Sequence, residues 1–180
     1  MEAVKIIASY IAAAVSYGIV HDQITARICV EYFTVAHPPI FATDDPTLLG
    51  LGWGVVATWW AGLGVGLVVA AASRIGPYPK RTARSLLPEI GRLLVVMAVG
   101  ALLAGTLGGW LAQRGSVRLG RHWQYLISPE RHVPFLICAW THSASYYFGF
   151  IGGLLTAAGI RRSRRRMAKA AAKVGETNSS

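Results

Sequence analysis

Charged residues are scarce in this sequence. Only 14 % of its 180 residues are Asp, Glu, Lys or Arg, whereas a soluble globular domain has roughly a quarter. The apolar share is 53 %, and so short a chain cannot cover that many apolar side chains in one soluble core. Long apolar runs exclude disordered and collagen-like proteins. With only two cysteines, the chain is not a disulfide scaffold either.

The sequence also lacks the common catalytic motifs. It has no His-Glu-x-x-His zinc motif, no Gly-x-Ser-x-Gly nucleophile motif and no phosphate-binding glycine loop. We therefore favour a non-enzymatic protein. A metal-dependent membrane oxidase or hydrolase is the enzymatic alternative.

What the sequence does have is four apolar stretches that are long enough to cross a membrane. A helix needs roughly 17–25 residues to span the hydrocarbon core. The stretches cover about residues 3–20, 48–72, 93–112 and 135–160. They lack the period-2 pattern of barrel strands, so helices are expected. The sequence thus predicts an all-α membrane protein, with a bundle of four transmembrane helices over residues 1–160.

Two local signals refine the first two spans. Ala12-Ala13-Ala14 is a possible cleavage site in the first stretch, but the apolar run ahead of it is short and Lys5 is its only basic residue, which favours a retained span over a cleaved signal peptide. Before the second stretch, Asp44 and Asp45 are followed by Pro46. An acidic residue before a proline is typical of a helix N-terminus.

The distribution of Lys and Arg predicts the orientation of the bundle. Thirteen of them lie at Lys5, in and beside the loop between the second and third spans, and in the segment after residue 160. Five lie on the opposite side. Because cytoplasmic loops carry the excess of positive charge, both termini are predicted to be cytoplasmic.

Residues 161–180 are predicted to form a basic cytoplasmic tail that is partly disordered. Residues 161–173 carry seven cations and no acid. Next to a membrane helix, such a segment is expected to lie on anionic lipid. No aromatic residue is interleaved among the cations, which argues against binding of nucleic acid.

Glycines recur at a spacing of four in the predicted spans. This spacing puts two glycines on one face of a helix, where a neighbouring backbone can approach closely. We favour packing within the chain, although a homo-oligomer or a partner in a membrane complex would use the same motif. The pairs are Gly50 and Gly54, Gly62 and Gly66, Gly105 and Gly109, and Gly149 and Gly153.

Ligand-type side chains gather on the predicted outer side, where all five histidines and both cysteines fall. His142 is the most informative of them, because eight helical residues after Pro134 place it roughly 12 Å into the membrane. An ionisable group at that depth is a functional candidate. Cys138, His142 and Tyr146 share one helix face. The alternative role for His142 is a hydrogen bond that joins two helices.

A second group of polar residues follows the first span. His21 and Asp22 lie at its predicted outer end, and Glu31 follows. As a helix, this region would pair Arg27 with Glu31. As a strand, residues 24–33 would alternate between two faces. Continuity with the first span favours the helix, but both structures stay open for residues 21–37.

Together these residues predict a site with imidazole, carboxylate and thiolate ligands. Such ligands suit a transition-metal ion such as zinc, copper or iron, and one or two histidines suit haem. A disulfide between Cys29 and Cys138 is the competing possibility, and it would remove both thiols as ligands. The candidate metal ligands are His21, Asp22, Glu31, Cys138 and His142.

The same region carries a resemblance to known proteins. The run H-D-Q-I-T-A-R-I-C-V-E-Y-F-T, followed by H-P-P, resembles a group of uncharacterised small bacterial multi-pass membrane proteins, and W-T-H-S-A-S-Y-Y extends the resemblance loosely. It implies a location in the bacterial inner membrane and supplies no mechanism. We therefore expect an integral membrane protein with an outward-facing site for a metal ion or haem. A small transporter or channel subunit, or an accessory subunit of a membrane complex, is the alternative.

Overall fold

The structure is a computed structural model that describes residues 1–177. Within this range it contains helices and no β-strand, which confirms the predicted all-α class. The α-helices are α1 Glu2–Ile28, α2 Glu31–Thr34, α3 Pro46–Val56, α4 Trp59–Arg74, α5 Leu87–Gln113, α6 Arg121–Leu126 and α7 His132–Thr177.

Three stretches of the described residues are long and apolar enough to cross a membrane. They are Glu2–Ile28, Pro46–Arg74 and Arg84–Gln113, and they contain the first three predicted spans. The predicted fourth stretch lies within α7, where polar side chains between Thr141 and Tyr147 interrupt the apolar run.

Helix α1 is longer than the predicted first span and continues to Ile28. Two of the polar residues that follow Val20 fit into it because they point inward: Asp22 and Thr25 are both buried. The backbone becomes extended at Cys29, and the chain then enters the short helix α2. Residues 21–28 are therefore helical, which decides between the two structures left open by the sequence pattern.

The second membrane stretch begins as predicted. The carboxylate of Asp45 accepts hydrogen bonds from the backbone N–H groups of Thr47 and Leu48, each at 2.9 Å. Pro46 occupies the first turn of α3, where its missing N–H is not needed. The acidic residue before the proline is thus confirmed as a helix cap.

The same stretch is interrupted near its middle. Helix α3 ends at Val56 and α4 begins at Trp59. The carbonyl of Ala57, at the interruption, accepts a hydrogen bond of 2.8 Å from the hydroxyl of Tyr146 on α7. Broken backbone at membrane depth is tolerated only where protein or an aqueous cavity satisfies it. The break therefore faces the interior of the bundle.

The helices are arranged around two close pairings. Helix α1 packs along α3 and α4, α5 packs along α7, and α4 joins the two halves through α7, while α1 and α5 barely touch. Glycines allow the close approaches: a Cβ at Gly54 would lie 2.5 Å from the Cα of Ile19, and one at Gly105 would collide with the hydroxyl oxygen of Thr141. Packing within the chain, as predicted, accounts for these glycines.

Substitution of Gly62 by alanine is expected to destabilise the protein by about 1–3 kcal/mol, the usual effect of overpacking. Its Cβ would lie 2.8 Å from the Cα of Ile11, which is backbone and cannot move aside cheaply. Gly64 is the matched control on the same helix, because a Cβ there meets nothing within 4 Å. Thermal unfolding in detergent should separate the two variants, and equal melting temperatures would contradict this account of the α1–α4 contact.

The basic segment after residue 160 continues α7 up to Thr177. Within it, Arg164 is fully buried. Part of the tail that is predicted to be disordered, residues 178–180, lies outside the described residues.

Candidate metal centre

Two helices bring three ligand-type side chains together inside the bundle. His21 and Asp22 lie on α1, and His142 lies on α7. One ligand atom from each side chain lies within 4.8 Å of the other two. The side chain of Asp22 is 5 % exposed and that of His142 is 12 % exposed. The structure thus joins three of the five residues proposed as ligands from the sequence.

Both ring nitrogens of His142 have oxygen partners. Nδ1 lies 2.8 Å from the carbonyl oxygen of Cys138, and Nε2 lies 3.1 Å from Oδ1 of Asp22. A carbonyl only accepts hydrogen bonds, so Nδ1 carries a proton and donates it. The carboxylate of Asp22 is also an acceptor, so a metal ion bound between Nε2 and Asp22 would take the place of the proton that joins them. Histidines that bind metals usually donate one N–H to a carbonyl or carboxylate and present the other nitrogen to the ion. His142 is held in that orientation.

His21 completes the group with a nitrogen that has no partner. Its Nε2 is buried and makes no hydrogen bond to any of the described residues. The ring stacks on Tyr17, with centroids 5.5 Å apart, and meets the ring of His142 edge-on at 4.6 Å. An unsatisfied buried polar atom costs about 1–3 kcal/mol. A bound ion would remove that cost.

Aromatic side chains close the group from the side of α2. The centroid of the Tyr32 ring lies 4.5 Å from that of the His142 ring, and the centroid of the Phe33 ring lies 5.6 Å from it. Next to them, Nδ1 of His37 lies 2.8 Å from the carbonyl oxygen of Tyr32. Burial lowers the pKa of His37, so its ring is neutral at pH 7.

These neighbours were not singled out from the sequence. Tyr17 precedes His21 by one helical turn, so the rule that places residues four apart on one face would have found it. Tyr32 and Phe33 had no such signal, because their position depends on the extended backbone of Cys29, which ends α1.

Glu31, proposed as a ligand, is paired elsewhere. Nε of Arg131 donates to both of its carboxylate oxygens, at 2.9 and 3.0 Å, and Nη2 of Arg131 donates to the carbonyl of Ile28. Burial raises the pKa of Glu31, but the hydrogen bonds from Arg131 and its positive charge outweigh that effect, so the net pKa is below the usual range. Glu31 is an ion-pair partner that ties the chain after α1 to the start of α7.

The lowered pKa of Glu31 predicts a pH dependence. Its contribution to stability is fully present above the unfolded-state pKa of 4.5 and is lost as the pH falls through the lower folded-state value. Substitution of Glu31 by glutamine should cost up to about 1 kcal/mol at pH 7. It should also flatten the decline of stability below pH 4.5, measured by thermal melts across pH in detergent. An unchanged acid profile in the variant would refute this assignment.

The two thiols also lie outside the group. Sγ of Cys138 donates to the carbonyl of Thr25 at 3.4 Å, and Sγ of Cys29 donates to the carboxylate of Glu31 at 3.2 Å. Both cysteines are free, so the disulfide considered from the sequence is not formed. Burial raises the pKa of Cys29 to about 11, so this thiol is protonated at neutral pH.

A cavity of about 110 Å³ extends from the three ligands into the bundle. Near the ligands its wall is polar, with Tyr17, Ser145 and Tyr146. Farther in it is apolar, and it reaches Tyr10 and Ile90. The break between α3 and α4 opens onto this cavity, because residues 57 and 58 line it.

Comparison with protein-family models, with curated proteins and with solved structures gives no match for this chain. Function must therefore be argued from the site itself.

Proposed function

We propose that this protein is a multi-pass protein of the bacterial inner membrane that binds a transition-metal ion at His21, Asp22 and His142. In this proposal the α7 segment over residues 135–160 is a fourth membrane span. A Cβ at Gly105 would meet Thr141, and one at Gly152 would meet Leu93. These contacts lie near both ends of the α5–α7 pair, and they support the proposal that α7 crosses the membrane beside α5.

The proposed orientation has both termini in the cytoplasm. The carboxylate of Glu2 accepts from the backbone N–H of Ala83, and Nε of Arg164 donates to the carbonyl of Pro79. These bonds hold the N-terminus, the basic loop after α4 and the basic part of α7 at one end of the bundle. The positive-inside rule assigns that end to the cytoplasm and the end with His21 to the outside.

The unpartnered Nε2 of His21 beside the Asp22–His142 pair carries the metal proposal. Ligand atoms around a tetrahedral ion lie roughly 3.3 Å apart, given bonds of about 2.0–2.1 Å. Nε2 of His142 and Oδ1 of Asp22 are already 3.1 Å apart. The ligand atom of His21 lies within 4.8 Å of both. Two imidazoles and one carboxylate suit zinc, iron or copper, and three protein ligands leave a coordination position open.

The geometry favours a single ion over haem held by two histidines. The rings of His21 and His142 are in edge-to-face contact, with centroids 4.6 Å apart. A porphyrin between two axial histidines needs the rings on opposite sides of its plane. The contact leaves no space for that plane.

Metal binding can be tested on the full chain purified in detergent. Titration with Co²⁺ should give one equivalent per chain and a visible absorption band of nitrogen and oxygen ligands, and Zn²⁺ should displace it. If no absorption band forms and elemental analysis finds no retained metal, the proposed function is refuted.

A transport role is the second candidate, and a buried hydroxyl at the far end of the cavity from His142 favours it. The cavity that starts at His142 reaches Tyr10, whose hydroxyl is buried and makes no hydrogen bond within residues 1–177. Ionisable groups at membrane depth, such as His142, are typical of proton and ion paths.

If the cavity conducts, substitution of Tyr10 by phenylalanine should lower metal-ion or proton flux into proteoliposomes by at least about tenfold, as expected for loss of a relay group. The substitution keeps the ring and removes the hydroxyl that faces the cavity. Flux that is absent in the wild type, or equal in wild type and variant, would exclude this role and leave metal binding unaffected.

We also propose that the exposed cations of residues 161–173 contact anionic lipid. Arg161, Arg162, Arg165 and Arg166 are exposed on the described helix. Each exposed cation near a charged bilayer contributes about 1 kcal/mol. Stronger association of the protein with vesicles of anionic lipid than with neutral ones, lost in high salt, would support this contact.

A further inference from the structure

Two thiols that take no part in the proposed metal site lie together between α1 and α7. Cys29 follows the end of α1, and Cys138 lies on α7. Both residues are 0 % exposed and belong to one buried cluster. The backbone nitrogen of Cys29 lies 2.9 Å from the carbonyl oxygen of Thr25, and Sγ of Cys138 lies 3.4 Å from the same oxygen. The backbone N–H of Cys29 also contacts the thiol of Cys138. The two cysteines are therefore direct neighbours.

Each thiol can give up its present hydrogen bond at little cost. The thiol of Cys29 donates to Oε2 of Glu31, but both oxygens of this carboxylate also accept from Arg131. The thiol of Cys138 donates to the carbonyl of Thr25, which keeps the backbone N–H of Cys29 as a donor. A buried acceptor is costly when it is left without a partner. Loss of the two S–H groups leaves neither acceptor in that state.

The surroundings of the pair favour oxidation. The proposed orientation places both thiols on the outer side of the membrane, where disulfides form and persist. The sequence contains two cysteines, so any disulfide within one chain joins Cys29 to Cys138.

A bridge at this point acts on the proposed metal site, because the ligands come from the two helices that it joins. His21 and Asp22 lie on α1 and His142 lies on α7, and these helices touch at few positions along their length. The backbone carbonyl of Cys138 also accepts the hydrogen bond from Nδ1 of His142 that orients the imidazole. A link that holds binding groups in place in advance raises affinity, because less freedom is lost on binding.

We propose that Cys29 and Cys138 are a redox-active pair, and that oxidation joins them in a disulfide that holds α1 against α7 and strengthens metal binding. The regulation rests on the proposed metal site, whereas formation of the disulfide does not. With oxidised glutathione as the oxidant, one cysteine thiolate attacks its disulfide, forms a mixed disulfide and releases one glutathione thiolate. The second cysteine thiolate then displaces the other glutathione. The two protons of the protein thiols pass to the released thiolates, and two electrons pass to the oxidant.

The bridge is tested on the full chain in detergent, equilibrated with oxidised glutathione or with a phosphine reductant. After denaturation, a polyethylene-glycol maleimide should label both cysteines of the reduced chain and neither cysteine of the oxidised chain. Mass spectrometry should find the peptides of Cys29 and Cys138 joined. Thiols that stay reactive under oxidation, or that are recovered only as glutathione adducts or as disulfides between chains, would overturn the proposal.

The regulation is measured as the Zn²⁺ affinity of both forms after the redox reagents are removed. The oxidised wild type should bind Zn²⁺ about tenfold more tightly than the reduced wild type, the lower end of the effect that outer-shell partners have on metal affinity. Replacement of Cys29 by serine should abolish this difference and keep the affinity of the reduced wild type, and replacement of Cys138 by alanine is the second variant. Equal affinity of the two wild-type forms would overturn the regulation.

The two measurements separate this inference from the proposed function. A disulfide that forms in a chain without Zn²⁺ affinity would refute the proposed function, and the regulation with it. Zn²⁺ binding by a chain that forms no disulfide would refute the redox-active pair alone.

Discussion

Replacement of His142 by alanine is expected to weaken Zn²⁺ binding by at least about 100-fold, since loss of even an outer-shell partner costs 10–100-fold. The variant removes the nitrogen that faces Asp22, and it also removes the Nδ1 hydrogen bond to Cys138 that fixes the ring. Competition with a chromophoric chelator in detergent gives the affinity directly. The expected loss is among the largest that a single substitution in this chain can produce.

Two further variants separate metal binding from folding. Substitution of Asp22 by asparagine keeps the size of the side chain and removes its charge, so it should lower affinity while the protein still folds. His122 is exposed and lies outside the group, so its replacement by alanine should leave affinity unchanged. Zn²⁺ affinity that is equal in the wild type and in the His142 variant would disprove the site.

Much of this site could be predicted from the sequence, because membrane depth makes polar residues conspicuous. His142 stood out in an apolar stretch, and His21 and Asp22 stood out at the end of another. The helix pattern alone did not predict where the thiol of Cys138 points. It lies one turn before His142, as predicted, but its thiol points at the carbonyl of Thr25, and the neighbour that a side chain meets depends on helix rotation.

The remaining features depend on contacts between distant parts of the chain. Glu31 pairs with Arg131, which lies 100 residues away, and nothing local reveals that pairing. No proline marks the break after Val56. The carbonyl of Ala57 that the break leaves free accepts a hydrogen bond from Tyr146 on another helix. Hydropathy therefore predicted the three stretches that are long and apolar enough to cross a membrane, but neither the interruption of the second nor the partners of the polar groups.

Arg164 illustrates the same limit in the basic tail, where composition does not distinguish one cation from the next. It is 0 % exposed. Its guanidinium donates to the carbonyls of Pro79, Ile75 and Tyr78, at 2.7, 3.0 and 2.9 Å, and to that of Ala72. These carbonyls belong to the end of α4 and the loop after it. Arginine suits this position because its planar fork presents several N–H groups at once.

Substitution of Arg164 by alanine should therefore destabilise the protein by about 3 kcal/mol or more, because several carbonyls lose their donor together. Lysine keeps the charge but offers one nitrogen, so it should recover only part of the loss. Arg166 is exposed on the same helix, and its replacement by alanine should change stability by less than about 0.5 kcal/mol. Unfolding in detergent measures all three variants.

Trypsin gives a local readout of the same contact. The loop that Arg164 holds contains Lys80, and release of the loop should speed cleavage after this residue in the alanine variant before the protein unfolds as a whole. Cleavage that depends on the open form follows its equilibrium population, so the rate should rise in parallel with the loss of loop contacts. Equal cleavage rates and equal melting temperatures of the Arg164 and Arg166 variants would contradict this account. The guanidinium of Arg164 would then not hold α4 against α7, and its burial would contribute nothing to stability.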